Sequence, residues 1–110
     1  MELSGVSKHV LICNGVSCSK KGAEDVTTAI REEIKNQGLL KTVHTTKTLC
    51  NGRCQDGPTV VVYPDGDWYK EMTKELGRIL IDRIRTNQKL GSSLSYTYDG
   101  NQFTVNDDNK

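Results

Sequence analysis

The spacing of apolar positions predicts a strand, a helix and a second strand in the first half of the chain. Residues 9–12 form a short, nearly continuous apolar run of the kind that fills a buried strand. Apolar residues then recur every three or four positions between Gly22 and Gly38, with acidic residues in the first turn, which predicts a helix. The β-branched residues of 41–49 predict the second strand. These elements make a βαβ unit, whose strands are expected to be parallel with a right-handed crossover.

The second half predicts a hairpin, a helix and a polar tail. Residues 59–63 give the strongest strand signal, and a Pro-Asp-Gly turn returns the chain as an antiparallel strand over 67–70. Thr73 is the expected N-cap of a helix to about Arg85, although Gly77 weakens that helix by up to about 1 kcal/mol. We therefore expect an α/β domain over 9–86 with a central mixed four-stranded sheet. A lead-in over 1–8 precedes it, and a polar tail over 87–110 follows, with a hairpin signal at 95–105 that either docks or stays mobile.

Composition and charge narrow the class of protein. The chain has 110 residues, 35% of them hydrophobic and only 5% aromatic, so a covalent or inorganic staple would help its modest core. A formal net charge of +1 argues against a nucleic-acid binder. We see no membrane-spanning stretch and no secretory signal, which predicts a cytoplasmic protein with reduced thiols. In that compartment, four grouped cysteines favour a metal site over disulfides.

The four cysteines lie in two loops that each follow a predicted strand. Cys13 and Cys18 have four residues between them, Cys50 and Cys54 have three, and 31 residues separate the two pairs. Because parallel strands end at the same edge of a sheet, the crossover should bring all four sulfurs together. A 2Fe-2S cluster needs four thiolates on paired loops, since each iron takes two.

Other metal chemistry remains open on spacing alone. Four cysteines also make a closed tetrahedral zinc site, although structural zinc pairs usually have two intervening residues. Disulfides or unliganded core thiols are the third option, whereas a dithiol oxidoreductase fits poorly because no C-x-x-C occurs. His44 could replace a cysteine in a Rieske-like arrangement, but a sheet histidine is the simpler interpretation.

Residues beside the cysteines suggest how such a site would be supported. Gly15 and Gly52 each follow a leading cysteine by two positions, where a backbone N–H can approach sulfur closely. Lys20, Lys21 and Arg53 either temper the negative charge of a cluster or form a solvated basic rim for partner docking.

The cysteine loops, followed by Gly57-Pro58 and the stretch 60–69 (Val-Val-Val-Tyr-Pro-Asp-Gly-Asp-Trp-Tyr), resemble the thioredoxin-like 2Fe-2S ferredoxin family over about residues 8–86. The resemblance implies a thioredoxin-like sheet flanked by helices and a 2Fe-2S cluster near the surface. Its ligands would be Cys13, Cys18, Cys50 and Cys54. It also allows a homodimer through a sheet edge, and it places Pro58 where thioredoxin folds carry a cis-proline.

The sequence thus predicts a small soluble one-electron carrier that serves a partner oxidoreductase and is not itself an enzyme. No acid-base pair, activated nucleophile or phosphate loop is recognisable. Redox partner proteins are expected, and neither nucleic-acid binding nor membrane insertion is. The alternatives are a zinc-stabilised interaction module that binds through the C-terminal hairpin, and an iron-sulfur sensor or cluster-delivery protein.

Overall fold

The computed structural model describes residues 2–106 and contains six strands, three α-helices and one short 3-10 helix. In chain order these are β1 (Lys8–Cys13), α1 (Val16–Lys20), α2 (Ala23–Asn36), β2 (Val43–Thr48), the 3-10 turn (Cys54–Asp56), β3 (Val60–Tyr63), β4 (Asp67–Tyr69), α3 (Lys74–Arg85), β5 (Leu94–Tyr98) and β6 (Phe103–Val105).

One mixed sheet runs through these six strands in the order β2-β1-β3-β4-β5-β6. The α/β class is as predicted, but the expected count of four strands is wrong. β5 and β6 form a hairpin that pairs with the outer edge of β4, through Trp68 opposite Tyr96 and Tyr69 opposite Leu94. This pairing satisfies backbone groups of β4 that a four-stranded sheet would leave at an open edge.

The strands β1 and β2 pair in parallel, and the register runs from Lys8 opposite Val43 to Cys13 opposite Thr48. The intervening connection carries α1 and α2, as a βαβ crossover requires. On the other side, β3 runs antiparallel to β1. The ends of β1 and β2 and the start of β3 therefore meet at one edge of the sheet.

Helices α2 and α3 pack against each other and, with the sheet, enclose the core. The central side chains, all at most 2% exposed, are Val10, Ile12, Val26, Ile30, Ile34, Val60, Val62, Tyr69, Met72, Leu80 and Ile81. Gly77 has a packing role, because a Cβ at this position would lie 3.0 Å from Cγ1 of Ile30. Gly77 has a low intrinsic helix propensity, but its lack of a side chain allows α3 to approach α2 closely.

Helix α3 begins where the sequence indicates, since the Thr73 side chain accepts a hydrogen bond from the backbone N–H of Leu76. The five-residue helix α1 was not predicted, because so short an element carries no periodic pattern. Within residues 2–106, no helix is both long and apolar enough to cross a membrane.

Asp67 joins three segments of the chain at the start of β4. Its side chain is 1% exposed and accepts hydrogen bonds at 2.5 Å from both the Lys89 Nζ and the Thr97 hydroxyl. Lys89 follows α3 and Thr97 lies on β5, so one buried carboxylate fixes the hairpin to the rest of the sheet.

Replacing Asp67 by asparagine should lower the free energy of unfolding by about 1–3 kcal/mol, because it removes a charged acceptor from a buried site with two donors. The matched control is Asp65→Asn, which breaks the ion pair of the more exposed Asp65 with Lys8. That control should cost less than about 1 kcal/mol. Urea unfolding under anaerobic, reducing conditions measures both, and equal losses would contradict the role given to Asp67.

His9 and His44 face each other across the β1–β2 pair, with ring centroids 4.8 Å apart, and the His9 Nε2 is 2.7 Å from the Thr46 hydroxyl. Burial, reinforced by the charge of His44, lowers the pKa of His9 below its ordinary value. His44 therefore lies within the sheet, beside another histidine.

A depressed folded-state pKa means that His9 stabilises the fold above about pH 6.5, its unfolded value, and that this contribution is lost as pH falls through the folded value. His44→Gln should raise the pKa of His9 towards, but not up to, its ordinary value, because burial remains. NMR titration of the ring protons measures this change. An unchanged pKa would exclude a charge interaction between the two rings.

Candidate metal centre

The four cysteines reach one place from three elements and a loop. Cys13 ends β1, Cys18 lies in α1, Cys50 follows β2, and Cys54 opens the 3-10 turn. All four line a single cavity of about 390 Å³ at the edge of the sheet where β1 and β2 end. The convergence expected from the parallel crossover is thus present.

The two pairs differ in exposure. Cys13 and Cys18 are 2% and 1% exposed, whereas Cys50 is exposed and Cys54 is partly so. The strand and helix that carry the first pair enclose it in protein, while the second pair lies in a loop at the surface. The cavity therefore has a buried side and an open side.

The two thiols of the exposed pair are close to each other. The Sγ atoms of Cys50 and Cys54 are 3.2 Å apart, and the Gly52 N–H donates to Cys50 Sγ at 3.3 Å, as expected for that glycine. All four cysteines are free. Across residues 2–106, no three His, Cys, Asp or Glu side chains are grouped tightly enough to hold a single metal ion.

Two glycines make room for the thiols. A Cβ on Gly15 would lie 2.9 Å from the backbone nitrogen of Cys50, so this glycine allows the two cysteine loops to touch. A Cβ on Gly57 would lie 2.7 Å from Cys18 Sγ. Larger residues at either position would push the loops or the sulfur out of place. The Gly57-Pro58 peptide bond is cis.

The pKa values of Cys13, Cys18 and Cys54 are shifted from the ordinary value in different directions. Burial raises the pKa of Cys13, but the nearby Gly15 backbone, Cys18 thiol, Asn51 backbone and Thr59 hydroxyl outweigh it and leave the pKa below its ordinary value. Burial and the Cys13 hydrogen bond raise the pKa of Cys18. The hydrogen bond with Cys50 and its charge raise that of Cys54. Neighbouring thiols thus resist ionising together, and a bound cation would remove this repulsion.

Basic side chains hold the exposed loop. The Lys21 Nζ donates to the Cys54 carbonyl at 2.9 Å, and Arg53 pairs with Asp56 at 2.8 Å. The Arg53 guanidinium also lies 5.1 Å from the ring centre of Tyr96 on β5, a cation-π contact between the cysteine loop and the C-terminal hairpin. Lys20, by contrast, lines the cavity and is exposed.

Buried polar atoms without a hydrogen-bond partner occur in residues next to the cysteines. Within residues 2–106, four buried side-chain polar atoms lack a hydrogen-bond partner, and three of them belong to Asn14, Asn51 and Thr59. Asn14 and Asn51 directly follow Cys13 and Cys50. The Thr59 hydroxyl has no bond of normal length and angle, although it is near enough to help lower the pKa of Cys13.

This arrangement fits an iron-sulfur cluster. Four thiols supply the ligands, and glycines allow the chain to pass close to the sulfurs. Buried polar groups next to the cysteines lack hydrogen-bond partners that a bound cluster could provide. Sequence reasoning missed Thr59 and Tyr96. Thr59 reads simply as a strand residue, and the Arg53–Tyr96 contact joins segments that no local pattern connects.

Known proteins with similar sequences are named as 2Fe-2S ferredoxins. The family model for "Thioredoxin-like [2Fe-2S] ferredoxin" matches residues 3–85. A candidate 2Fe-2S ferredoxin of Priestia megaterium is 48% identical over 102 residues, covering 92% of this chain and 80% of its own. A 2Fe-2S ferredoxin of Aquifex aeolicus is 38% identical over 78 residues, covering 62% of this chain and 69% of its own.

The fold agrees with these sequence matches. The crystal structure of the wild-type thioredoxin-like [2Fe-2S] ferredoxin from Aquifex aeolicus superposes with a TM-score of 0.74 at 28% identity, covering 81% of this chain and 96% of that one. The thioredoxin-like fold expected from the sequence is thereby confirmed, as is the 2Fe-2S cofactor. With a family match over most of its length and a matching fold, the chain belongs to the thioredoxin-like [2Fe-2S] ferredoxins.

Proposed function

We propose that this ferredoxin carries one electron between partner proteins on a 2Fe-2S cluster held by Cys13, Cys18, Cys50 and Cys54. The observation that supports it most is that these four thiols, from two loops 31 residues apart in sequence, line one cavity. When bound, the cluster supplies a one-electron redox couple whose total charge with its ligands changes from two minus to three minus.

The buried pair provides the rigid half of the site. Cys13 is fixed by the β1–β2 and β1–β3 ladders, and its Sγ lies 3.4 Å from the Leu49 carbonyl. Cys18 lies on a helix and against Gly57. Ligands held this way would move little when the charge of the site changes, which keeps the structural cost of electron transfer small.

The exposed pair provides the route for the electron. Cys50 reaches the surface, and the two most exposed large apolar side chains among the described residues, Leu49 at 83% and Val16 at 76%, lie beside it or at the cavity. Val16 and Lys20 line the cavity, and Leu49 directly precedes Cys50. We infer that a redox partner with a complementary apolar and acidic surface docks here, close to the Cys50 side of the cluster.

The protein would act in the cytoplasm as an electron carrier for a partner oxidoreductase. Four free thiols need a reducing compartment to remain available for iron. Substrate chemistry would then belong to the partner oxidoreductase.

Substitution of each cysteine by serine tests the ligand set. Cys13→Ser and Cys18→Ser should lose most of the iron and sulfide, because the serine hydroxyl is a poor ligand for iron. Water has little access to these buried positions and cannot bind the iron in its place. Cys50→Ser and Cys54→Ser should keep a cluster with an altered visible spectrum, since these positions are open to solvent. Iron, sulfide and zinc are measured per chain after anaerobic purification.

Ser17→Ala is the matched control, because Ser17 lines the same cavity without a thiol and should retain a full cluster. Zinc in place of iron in the unaltered protein would overturn the proposal in favour of a zinc-stabilised module. Full iron and sulfide in any one of the serine variants, with an unchanged spectrum, would remove that cysteine from the ligand set.

Substitution of Lys20 tests whether the electron leaves through the opening of the cavity. For Lys20→Glu, oxidation of the reduced protein by the hexacyanoferrate(III) anion should slow about two- to fivefold at low salt, and oxidation by the hexaamminecobalt(III) cation should speed up. Lys35→Glu makes the same charge change at the far end of α2 and should leave both rates nearly unchanged. Equal effects from the two variants would argue against transfer through this opening. Stopped-flow absorbance gives both rates.

A further inference from the structure

Thr59 carries a buried hydroxyl that makes no hydrogen bond of normal geometry. The residue is 2% exposed, and its Oγ1 finds no hydrogen-bond partner within residues 2–106. A buried hydroxyl normally has such a partner, because removing it from water without compensation is unfavourable. The hydroxyl lies near the Cys13 thiol, whose pKa it helps to lower, but it makes no hydrogen bond of normal length and angle there.

The sheet register places this hydroxyl beside Cys13. Ile12 pairs with Val60 in the antiparallel β1–β3 ladder, and one step further the Cys13 N–H donates to the Thr59 carbonyl at 3.1 Å. Side chains opposite each other in such a ladder are on the same face, with Cβ atoms about 4.5–5.5 Å apart. Thr59 and Cys13 therefore share the face of the sheet that borders the cavity.

The segment before Thr59 also lies against the site. A Cβ on Gly57 would be 2.7 Å from Cys18 Sγ, so the chain from Gly57 to Thr59 passes along the buried pair of thiols. Neither Cys13 nor Cys18 is open to water. Solvent molecules therefore have little access to donate to these sulfurs, and the Thr59 hydroxyl is a side-chain donor near Cys13, in addition to the backbone N–H groups of Gly15 and Asn51.

We propose that Thr59 donates its O–H to Cys13 Sγ when the cluster is bound and thereby raises the reduction potential. A hydrogen bond to sulfur offsets negative charge, and it stabilises the reduced, more negative state more than the oxidised one. This inference rests on the proposed ligation by Cys13. It adds that one named side chain adjusts the potential from the buried side of the site.

The test compares two variants of the full-length, cluster-loaded protein. Thr59→Val keeps the shape of the side chain and removes the hydroxyl, so its reduction potential should become more negative. Thr59→Ser keeps the hydroxyl and should stay close to the unaltered protein. Thr104→Val on β6 makes the same chemical change away from the cysteines and should leave the potential unchanged. Redox titration followed by visible absorption measures all four proteins.

Resonance Raman spectroscopy supplies a second readout that a packing effect would not produce. Exchange into D₂O should shift the Fe–S stretching bands of the unaltered protein and of Thr59→Ser more than those of Thr59→Val. An equal potential in Thr59→Val and the unaltered protein would overturn the inference, as would equal shifts of potential in the valine and serine variants. If Thr59→Val holds no cluster, Thr59→Ala against Thr59→Ser makes the same comparison.

These outcomes separate the inference from the ligand assignment. Retention of an unchanged cluster by Cys13→Ser would defeat the ligation, and with it the role of Thr59. If Cys13→Ser loses the cluster while Thr59→Val keeps the reduction potential of the unaltered protein, only the proposed hydrogen bond is excluded.

Discussion

The parallel pairing of β1 with β2 is the constraint on which the site depends. Its register sets Cys13 opposite Thr48, so the loop that follows each strand begins at the same edge of the sheet. Without that pairing, the 31 residues between Cys18 and Cys50 would leave the two pairs of thiols unrelated in space. The packing of α2 against α3 and the sheet stabilises the crossover, and the site is thus a consequence of the hydrophobic core.

The same topology makes the two halves of the site different. One pair of thiols belongs to a strand and a helix in the interior, and the other to a loop near solvent. An electron carrier needs both properties, since a rigid environment limits reorganisation and an exposed edge shortens the distance to a partner. Because the asymmetry follows from where the elements end, it requires no special residue beyond glycines at the points of closest approach.

Much of this arrangement could be predicted from the sequence. The apolar period located α2 and α3, Thr73 located the start of α3, and the two cysteine spacings pointed to one four-thiol site. The missing parts depend on contacts between distant segments. Helix α1 is too short to show a period, and the pairing of the hairpin with β4 depends on a contact between distant segments. Thr59, which directly precedes β3, has no local signal that marks its hydroxyl as lacking a hydrogen-bond partner.

The C-terminal hairpin illustrates why such contacts matter to the site. Buried Asp67 fixes Thr97 of β5, and the adjacent residue Tyr96 faces the Arg53 guanidinium inside the exposed cysteine loop. Lys21 holds the same loop through the Cys54 carbonyl. The loop is therefore restrained from both sides, by Lys21 just after α1 and by Tyr96 of the hairpin. A loop ordered in this way keeps the Cys50 sulfur near that of Cys54 on the exposed side of the cavity, which joins the stability of the sheet edge to the geometry of the four thiols.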